Sequence, residues 1–392
     1  MNELHKFRFV KIIAICDIFL LFVTASALRA DEAKKTPVPV AEIGIASWNI
    51  ERFDAVGPDD ETFPRRSQRH LEMIAGTILE TGTDVIGLQE IVPPRSASAR
   101  SSLDQLIAEL NKQEKVKKGT PGPLPIWTGQ GGKEHVGDIY TAIVWNTRTL
   151  ELLGKVTELT QLRRGYGSQS KAGSKEELRF PRIPLVARFR VRAAPENDFM
   201  VIVLHLKASS TGLYGGLDSN DIRRRGELEA LLGDWLLKPH VQGELRDEDV
   251  IVLGDFNERN SVLVELLDKY GTRDDTRGRL ILDASDFCDP RARFLFTSAA
   301  SDSSMNYTFR HNSEKGERGR EDDRMSYYRN FLDHILISRS LLDYWDGNYW
   351  ISYFEGYYPL KDHVHLSDHR PVNIFLRFPI KVTDPFLHAP RR

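Results

Sequence analysis

What most constrains this chain is a series of strand-length apolar runs that break off in polar residues. Candidate strands lie at Ile43–Ser47, Val85–Leu88, Ile139–Trp145, Leu185–Val191, Phe199–Leu204, Val250–Leu253, Phe331–Ile337 and Val372–Leu376. Each is short, apolar or alternating, and bounded by turn residues, the pattern of a buried or half-buried strand. Between them the period changes to that of a helix. Leu71, Ile74, Ala75, Ile78 and Leu79 share one helical face, as do Leu103, Leu106, Ile107 and Leu110. Leu228, Leu231, Leu232, Trp235 and Leu236 repeat the spacing after a cap-rich LDSND stretch, and Val262, Leu263, Leu266 and Leu267 form a shorter example. Strand spacing is irregular and 139–204 carries few helical cues, so a strictly parallel, doubly wound sheet is not expected. An α/β (α+β) chain with two packed sheets and helices outside fits the order better.

Residues before Glu42 read differently. Lys6, Arg8 and Lys11 precede an apolar stretch from Ile12 to Val23, interrupted by Cys16 and Asp17, and Ala25-Ser26-Ala27 offers a small-x-small cleavage site. The stretch is short for a bilayer span. The expected organisation is a signal peptide at 1–27, a linker at 28–41, one domain at 42–380 and a tail at 381–392. The protein is then secreted or periplasmic, an uncleaved anchor being the less favoured reading. Cys16 leaves with the signal and Cys288 stands alone, so no internal disulfide is expected. Composition, with 41% hydrophobic and 28% charged residues, excludes a disordered chain, a collagen repeat and a coiled coil. The 54 basic and 56 acidic side chains leave a net charge of −2, so bulk charge would not hold this chain on nucleic acid and any phosphate must be gripped locally.

The strand ends carry the chemistry. Asn49 closes the first candidate strand, Gln89-Glu90 the second, and His205 the run VIVLHL; Asp255 and Asn257 follow VIVLGD, and Asp368-His369 precede the last strand. Taken singly, each has an ordinary explanation as a turn former, a cap or a satisfied core histidine. Asp333 inside FLDHILI is harder to dismiss, because a carboxylate in an apolar strand is costly to bury unless it is paired. Several such coincidences at strand ends are less economical than one shared site.

In order along the chain, SWNI (47–50), GLQE (87–90), VLHLK (203–207), LGDFN (253–257), LDHILIS (332–338) and SDHRP (367–371) resemble the motifs of the endonuclease/exonuclease/phosphatase superfamily. That superfamily includes pancreatic deoxyribonuclease, abasic-site endonucleases, neutral sphingomyelinases and inositol-phosphate 5-phosphatases. The resemblance spans roughly residues 42 to 380. It implies a four-layer sandwich, two mostly antiparallel mixed sheets between helices, and divalent-metal-dependent hydrolysis of a phosphoester. It implies a metal site at Asn49 and Glu90, with Asp368 close enough to join it. It further implies that Asp255 orients or deprotonates the attacking water, with Asn257 beside it on phosphate. His205 and His369 would face the phosphoryl group, Asp333 holding the His369 imidazole. Oxygen donors without cysteine suit Mg2+, with Mn2+ or Ca2+ as alternatives.

Other features are less decided. Arg182 in FPRIPLVARF matches a phosphate-gripping arginine of the deoxyribonuclease-like branch but reads equally as a surface arginine, and Asp138 or Tyr140, Tyr140 the favoured one, occupies the region where relatives supply a histidine partner or a tyrosine. Arg223, Arg224 and Arg225 read better as a solvated helix face than as a backbone contact. His363, His365, Asp368 and His369 have spacing that can bind zinc, the rival to magnesium. Polar loops are expected at 163–176 and 311–324, and the aromatic-rich Tyr344–Tyr358 stretch reads as packing before base stacking or lipid docking. The expected substrate is nucleic acid, DNA or RNA, by likeness to exported bacterial nucleases. A sphingomyelinase-like or small-phosphoester hydrolase is the alternative, and an inactive binding protein on the same fold is the non-enzymatic one. No protein partner is inferred.

Overall fold

The computed structural model describes residues 39–55, 67–93, 101–118, 125–132, 139–163, 180, 182–208, 219–236, 249–257, 309–312, 327–330, 332–351, 366–367 and 369–381. Contacts divide the chain into a body at 41–378 and a second unit of the two termini, 1–40 and 379–392. Within that second unit Ile380 N donates to Pro39 O at 2.8 Å. The expected signal peptide, most of the expected linker and most of the tail lie outside the described residues.

Strands β1 (Val40–Phe53), β2 (Val85–Ile91), β3 (Trp127–Gly131) and β4 (Tyr140–Asn146) belong to one sheet, with β5 (Leu150–Leu152), β6 (Thr157–Glu158), β7 (Leu185–Val191), β8 (Asp198–His205) and β9 (Val250–Asp255) in another. There follow a hairpin of β10 (Phe309–Asn312) and β11 (Tyr327–Asn330), then β12 (Asp333–Ile337), β13 (Trp345–Ile351) and β14 (Val372–Pro379). The first sheet runs β13-β14-β1-β2-β4-β3; the second runs β12-β9-β8-β7-β5, with β6 also on β7. Parallel pairing occurs at β1–β2 and β8–β9, while β2–β4, β3–β4, β7–β8, β12–β9 and β13–β14 are antiparallel. Both sheets are therefore mixed and mostly antiparallel, as expected.

Alternation along the strands sorts the layers. Ala46, Trp48, Ile50, Ile86, Leu88 and Val144 pack against Leu71, Ile74, Ala75 and Ile78 of α1 (Gln68–Glu80) and Leu103, Leu106 and Leu110 of α2 (Ser102–Lys118). Ser67 caps α1 in a capping box with His70. On the far side Met200, Ile202, Val250 and Val252 meet Leu228 of α3 (Ser219–Glu229) and Leu231, Trp235 and Leu236 of the π-helix Ala230–Leu236. The intervening positions join the sheets: Trp145 meets Phe189 at 5.4 Å between ring centroids, and Phe199 stacks on Phe378 at 6.0 Å. Gly87 lies so close to the opposite sheet that a Cβ would fall 2.2 Å from Leu253 Cδ1. Four layers result.

Departures from the sequence reading have local causes. β3 has a single large apolar residue in WTGQG, and β5 and β6 are only three and two residues long, so none of them reads as a strand. The helical pattern at 228–236 continues, but as a π-helix beyond Glu229. The polar stretch 311–324 is not loop throughout, because His311 and Asn312 pair with Tyr328 and Tyr327. Likewise Arg163, the first residue of 163–176, closes a 3-10 turn at Thr160–Arg163. Of Tyr344–Tyr358, residues 345–351 form the edge strand β13 and 352–358 lie outside the described residues, as does the short helical pattern at 262–267.

Candidate active site

Register builds the site before any side chain is considered. In the second sheet Asp255 lies opposite His205 on β8 and opposite Asp333 on β12, so these three residues form one row across adjacent strands. In the first sheet Asn49 on β1 lies opposite Gln89 on β2. The rows meet at one end of the sandwich.

Glu90 reaches that end through a bulge. Ile86 and Leu88 face the helices, so strict alternation would send Glu90 the same way and Ile91 into the space between the sheets. Instead Glu90 adopts φ +64°, the β2–β4 register shifts between Leu88 and Ile91, and Ile91 joins the helix-side core. β1 carries the matching irregularity, with Glu51 and Arg52 at φ +43° and +44° and a register shift between Asn49 and Phe53. The extra residues free Glu90 from the pleat and re-aim its carboxylate. Its Oε2 accepts from Arg52 N at 3.0 Å and its Oε1 from Asn49 Nδ2 at 3.1 Å.

Asn49 Nδ2 also donates to Asp255 Oδ2 at 3.0 Å, so one amide joins carboxylates from both sheets. Asn49 Oδ1 accepts from Glu51 N at 3.0 Å. His205 Nε2 stands 3.7 Å from Glu90 Oε1 and 3.6 Å from Asp255 Oδ2, too long for hydrogen bonds but inside the same cluster. His369 Nδ1 contacts Asp333 Oδ2 at 2.7 Å, and its Nε2 lies 3.9 Å from Asp255 Oδ2. Asn49, His205, Asp255, Asp333 and His369 are all buried, Asp333 completely. This contact satisfies the sequence requirement that the Asp333 carboxylate be paired.

Burial and neighbouring charge set the protonation states. Burial pushes Asp255 up to about 6, reinforced by the Asp333 carboxylate and opposed by His369 and by hydrogen bonds from Asn257 N and Asn49. Burial also holds His205 well below the usual histidine range, with the positive Arg182 and Lys207, and His369 when protonated, adding to it. His205 is thus neutral, and its buried Nδ1 has no hydrogen-bond partner among the described residues. A bare lone pair costs less there than an orphaned N–H, which places the proton on Nε2, facing the carboxylates.

Of the other expected residues, Asn257 sits at the rim in the left-handed region, φ +49°, where its amide Nδ2 donates to Leu206 O at 3.1 Å. Arg182 Nη1 reaches the same carbonyl at 3.5 Å and its charge is felt at His205, so it borders the cluster. Tyr140 is not brought in. It packs in the helix-side core with Trp127 and Leu103, where burial raises its phenol above the usual range. Arg224 is not on a solvated face: it is buried and donates to Lys207 O at 3.2 Å, while Glu227 Oε2 accepts from Lys207 N at 2.9 Å, bracing the chain just beyond His205. Asp368, His363 and His365 lie outside the described residues, and with them the zinc alternative; Asp138 lies outside them as well.

Sequence reasoning assigned no role to Ser367, Trp48 or Gln89, although all three sit inside the quoted motifs. Gln89 and Ser367 are buried polar side chains, the signal that would have marked them. Gln89 closes on its own sheet, accepting from Ser47 Oγ at 3.4 Å and donating to Gly87 O at 3.1 Å.

Among the described residues, two donor groupings could hold a cation. Ligand atoms of Asp255, Asp333 and His369 lie within 4.8 Å of one another. Within that trio His369 Nδ1 meets Asp333 Oδ2 at 2.7 Å. Glu90 and Asp255 share the Asn49 amide, and each takes one backbone N–H besides, from Arg52 and Asn257; all of these donors are neutral, and a hard divalent cation would relieve the charge they leave uncompensated.

No family model matches the chain, and no curated protein does. Solved structures do. Over 86% of this chain and 98% of the other, it is similar to D. rerio TDP2 complexed with single-strand DNA product, at 14% identity and a TM-score of 0.46. With the same coverage it is similar to an endonuclease/exonuclease/phosphatase from Bacteroides vulgatus, at 16% identity and a TM-score of 0.48. The human Nocturnin catalytic domain with bound sulfate is similar over 87% and 96% of the two chains, at 14% identity and a TM-score of 0.46. At these identities and TM-scores the likeness bears on neither substrate nor chemistry.

Proposed function

We propose that this chain is a divalent-metal-dependent phosphoester hydrolase of the endonuclease/exonuclease/phosphatase type, acting as a nuclease on DNA or RNA after export. One observation carries the reading: residues from six separate sequence motifs converge on a single buried cluster, with Asn49 joined to both Glu90 and Asp255 and His369 joined to Asp333. A satisfied core histidine or a turn-forming Asn would not bring two carboxylates onto one amide.

Glu90 and Asp255 would hold the cation, with Asn49 beside them. When bound, a divalent cation neutralises phosphate charge and polarises the P–O bond. Mg2+ suits the oxygen donors, with Mn2+ and Ca2+ as the other hard cations to test. Asp255 would orient the attacking water and take its proton. The Asp333 contact would keep the His369 proton on Nδ1, with Nε2 turned to Asp255 at 3.9 Å, where it would accept or return a proton. His205, neutral and with its proton on Nε2, supplies a hydrogen bond to a phosphoryl oxygen without the cost of a buried charge. Arg182 at the rim adds the local positive charge that a net charge of −2 does not supply. Export rests on the basic, apolar and small-residue series at 6–27.

A parallel assay tests this. Purified protein is given plasmid DNA, single-stranded RNA, sphingomyelin and bis(p-nitrophenyl) phosphate, each with Mg2+, Mn2+, Ca2+ or chelator. Metal-dependent cleavage of nucleic acid is expected, abolished by chelator. Cleavage of lipid alone overturns the nuclease assignment, and no cleavage of any substrate overturns the hydrolase. N-terminal sequencing of exported protein should begin at Leu28.

A further inference from the structure

We infer that Ser367, together with Trp48, is the positioning device that fixes His369 across the two sheets, an inference that rests on the hydrolase reading of this site. The Ser367 hydroxyl is fully buried and serves two partners at once: it donates to Asn49 O at 2.6 Å and accepts from His369 N at 3.0 Å. Trp48 Nε1 donates to His369 O at 3.0 Å. Both backbone polar groups of His369 are therefore tied to consecutive residues of β1: the carbonyl directly to Trp48, 321 positions away, and the N–H through Ser367 to Asn49, 318 positions from that serine. The ring is tied to the other sheet, through Asp333 on β12 at 2.7 Å.

His369 is consequently a strut between the sheets. The first sheet carries Asn49 and Glu90, the second carries His205, Asp255 and Asp333, and the imidazole is held at both ends between them. Only a side chain that donates and accepts through one atom can close the Asn49–Ser367–His369 connection, which is why serine serves and alanine does not. The tie acts on geometry alone, because Ser367 and Trp48 meet the backbone of His369 and of Asn49 rather than the cluster of side chains. A displacement of the imidazole of the order of 1 Å costs about 100-fold in rate, while binding of a substrate held by other groups hardly changes.

The test compares wild type with Ser367→Ala, Ser367→Thr and Trp48→Phe. It measures kcat and KM on bis(p-nitrophenyl) phosphate with Mg2+, the unfolding midpoint, and the low-field proton resonance of the His369–Asp333 hydrogen bond, identified by its loss in Asp333→Asn. Expected are folded Ser367→Ala and Trp48→Phe proteins whose kcat falls about 10- to 100-fold with KM within about 3-fold, a weakened or shifted resonance, and recovery of most of the rate in Ser367→Thr. A rate lost only in proportion to the folded fraction, a loss carried by KM, a Ser367→Thr protein no better than Ser367→Ala, or an unchanged resonance would each overturn the role. If Ser367→Ala fails to fold, Trp48→Phe decides, since it keeps the serine. If wild type cleaves nothing, the hydrolase reading fails separately, and the resonance still decides between a strut and a passive contact.

Discussion

Replacing Asp255 by Asn is expected to abolish turnover and, in the absence of divalent cation, to make the protein more stable. Burial holds the Asp255 carboxyl at about 6 against an ordinary value of 3.8. A carboxyl whose folded pKa lies above its unfolded one is a stability cost that grows with pH. Below about pH 4 both states are protonated and there is no cost; between about pH 4 and 6 the unfolded chain ionises while the native one keeps its proton; above about pH 6 the cost is complete. A difference of about two units at ~1.36 kcal/mol each amounts to about 3 kcal/mol. Asp255 accepts from Asn49 Nδ2 through one oxygen and from Asn257 N through the other. An asparagine has a single oxygen, so one of these bonds is lost, at about 1 kcal/mol. In chelator the variant should therefore be about 2 kcal/mol more stable than wild type near pH 7.5 and about 1 kcal/mol less stable near pH 4. Urea unfolding of both proteins at both pH values measures this. An identical stability difference at the two pH values would refute the claim that burial holds this carboxyl up. Saturating Mg2+ should reverse the order at pH 7.5, because a ligand present at 100 times its Kd adds about 2.7 kcal/mol only to the protein that binds it.

Glu90→Gln should keep the fold, lose the Mg2+-dependent rise in unfolding midpoint and lower kcat about 100-fold or more, readable by thermal unfolding with and without Mg2+ alongside turnover. Gly254→Ala should destabilise by at least about 2 kcal/mol or prevent folding, since Gly254 has φ +147° and an added Cβ would sit 2.1 Å from Leu204 O; a soluble variant with an unchanged urea midpoint would contradict this. Tyr140→Phe should leave kcat within about 2-fold and cost about 1 kcal/mol of stability, as fits a phenol in the helix-side core rather than on substrate; a large loss of rate at unchanged stability would return Tyr140 to the site.

Much of the fold was legible because the information is local. The eight candidate strands all appear, since period-two and continuous apolar runs respond to the same burial whatever their neighbours. α1 and α2 follow from Leu71–Leu79 and Leu103–Leu110 for the same reason. The missed β3, β5 and β6 are held by pairing rather than by composition. The loop expectation at 311–312 failed because His311 and Asn312 are ordered by strand partners that only the hairpin supplies. Arg224 was misjudged because a charge run says nothing about the carbonyl it will meet.

By itself the sequence determined which side chains stand at the strand ends, because each is placed by its own strand's alternation and length. It also required a partner for the Asp333 carboxylate, because an unpaired buried charge is untenable. Tertiary structure alone decided how those ends meet. The shared Asn49 amide and the Asp255 protonation shift depend on the spacing of two sheets whose contributing residues are 206 positions apart, and the Ser367 tie on a contact to β1 across 318 positions. That spacing is set by packing between layers, such as Gly87 against Leu253, and no local pattern encodes it.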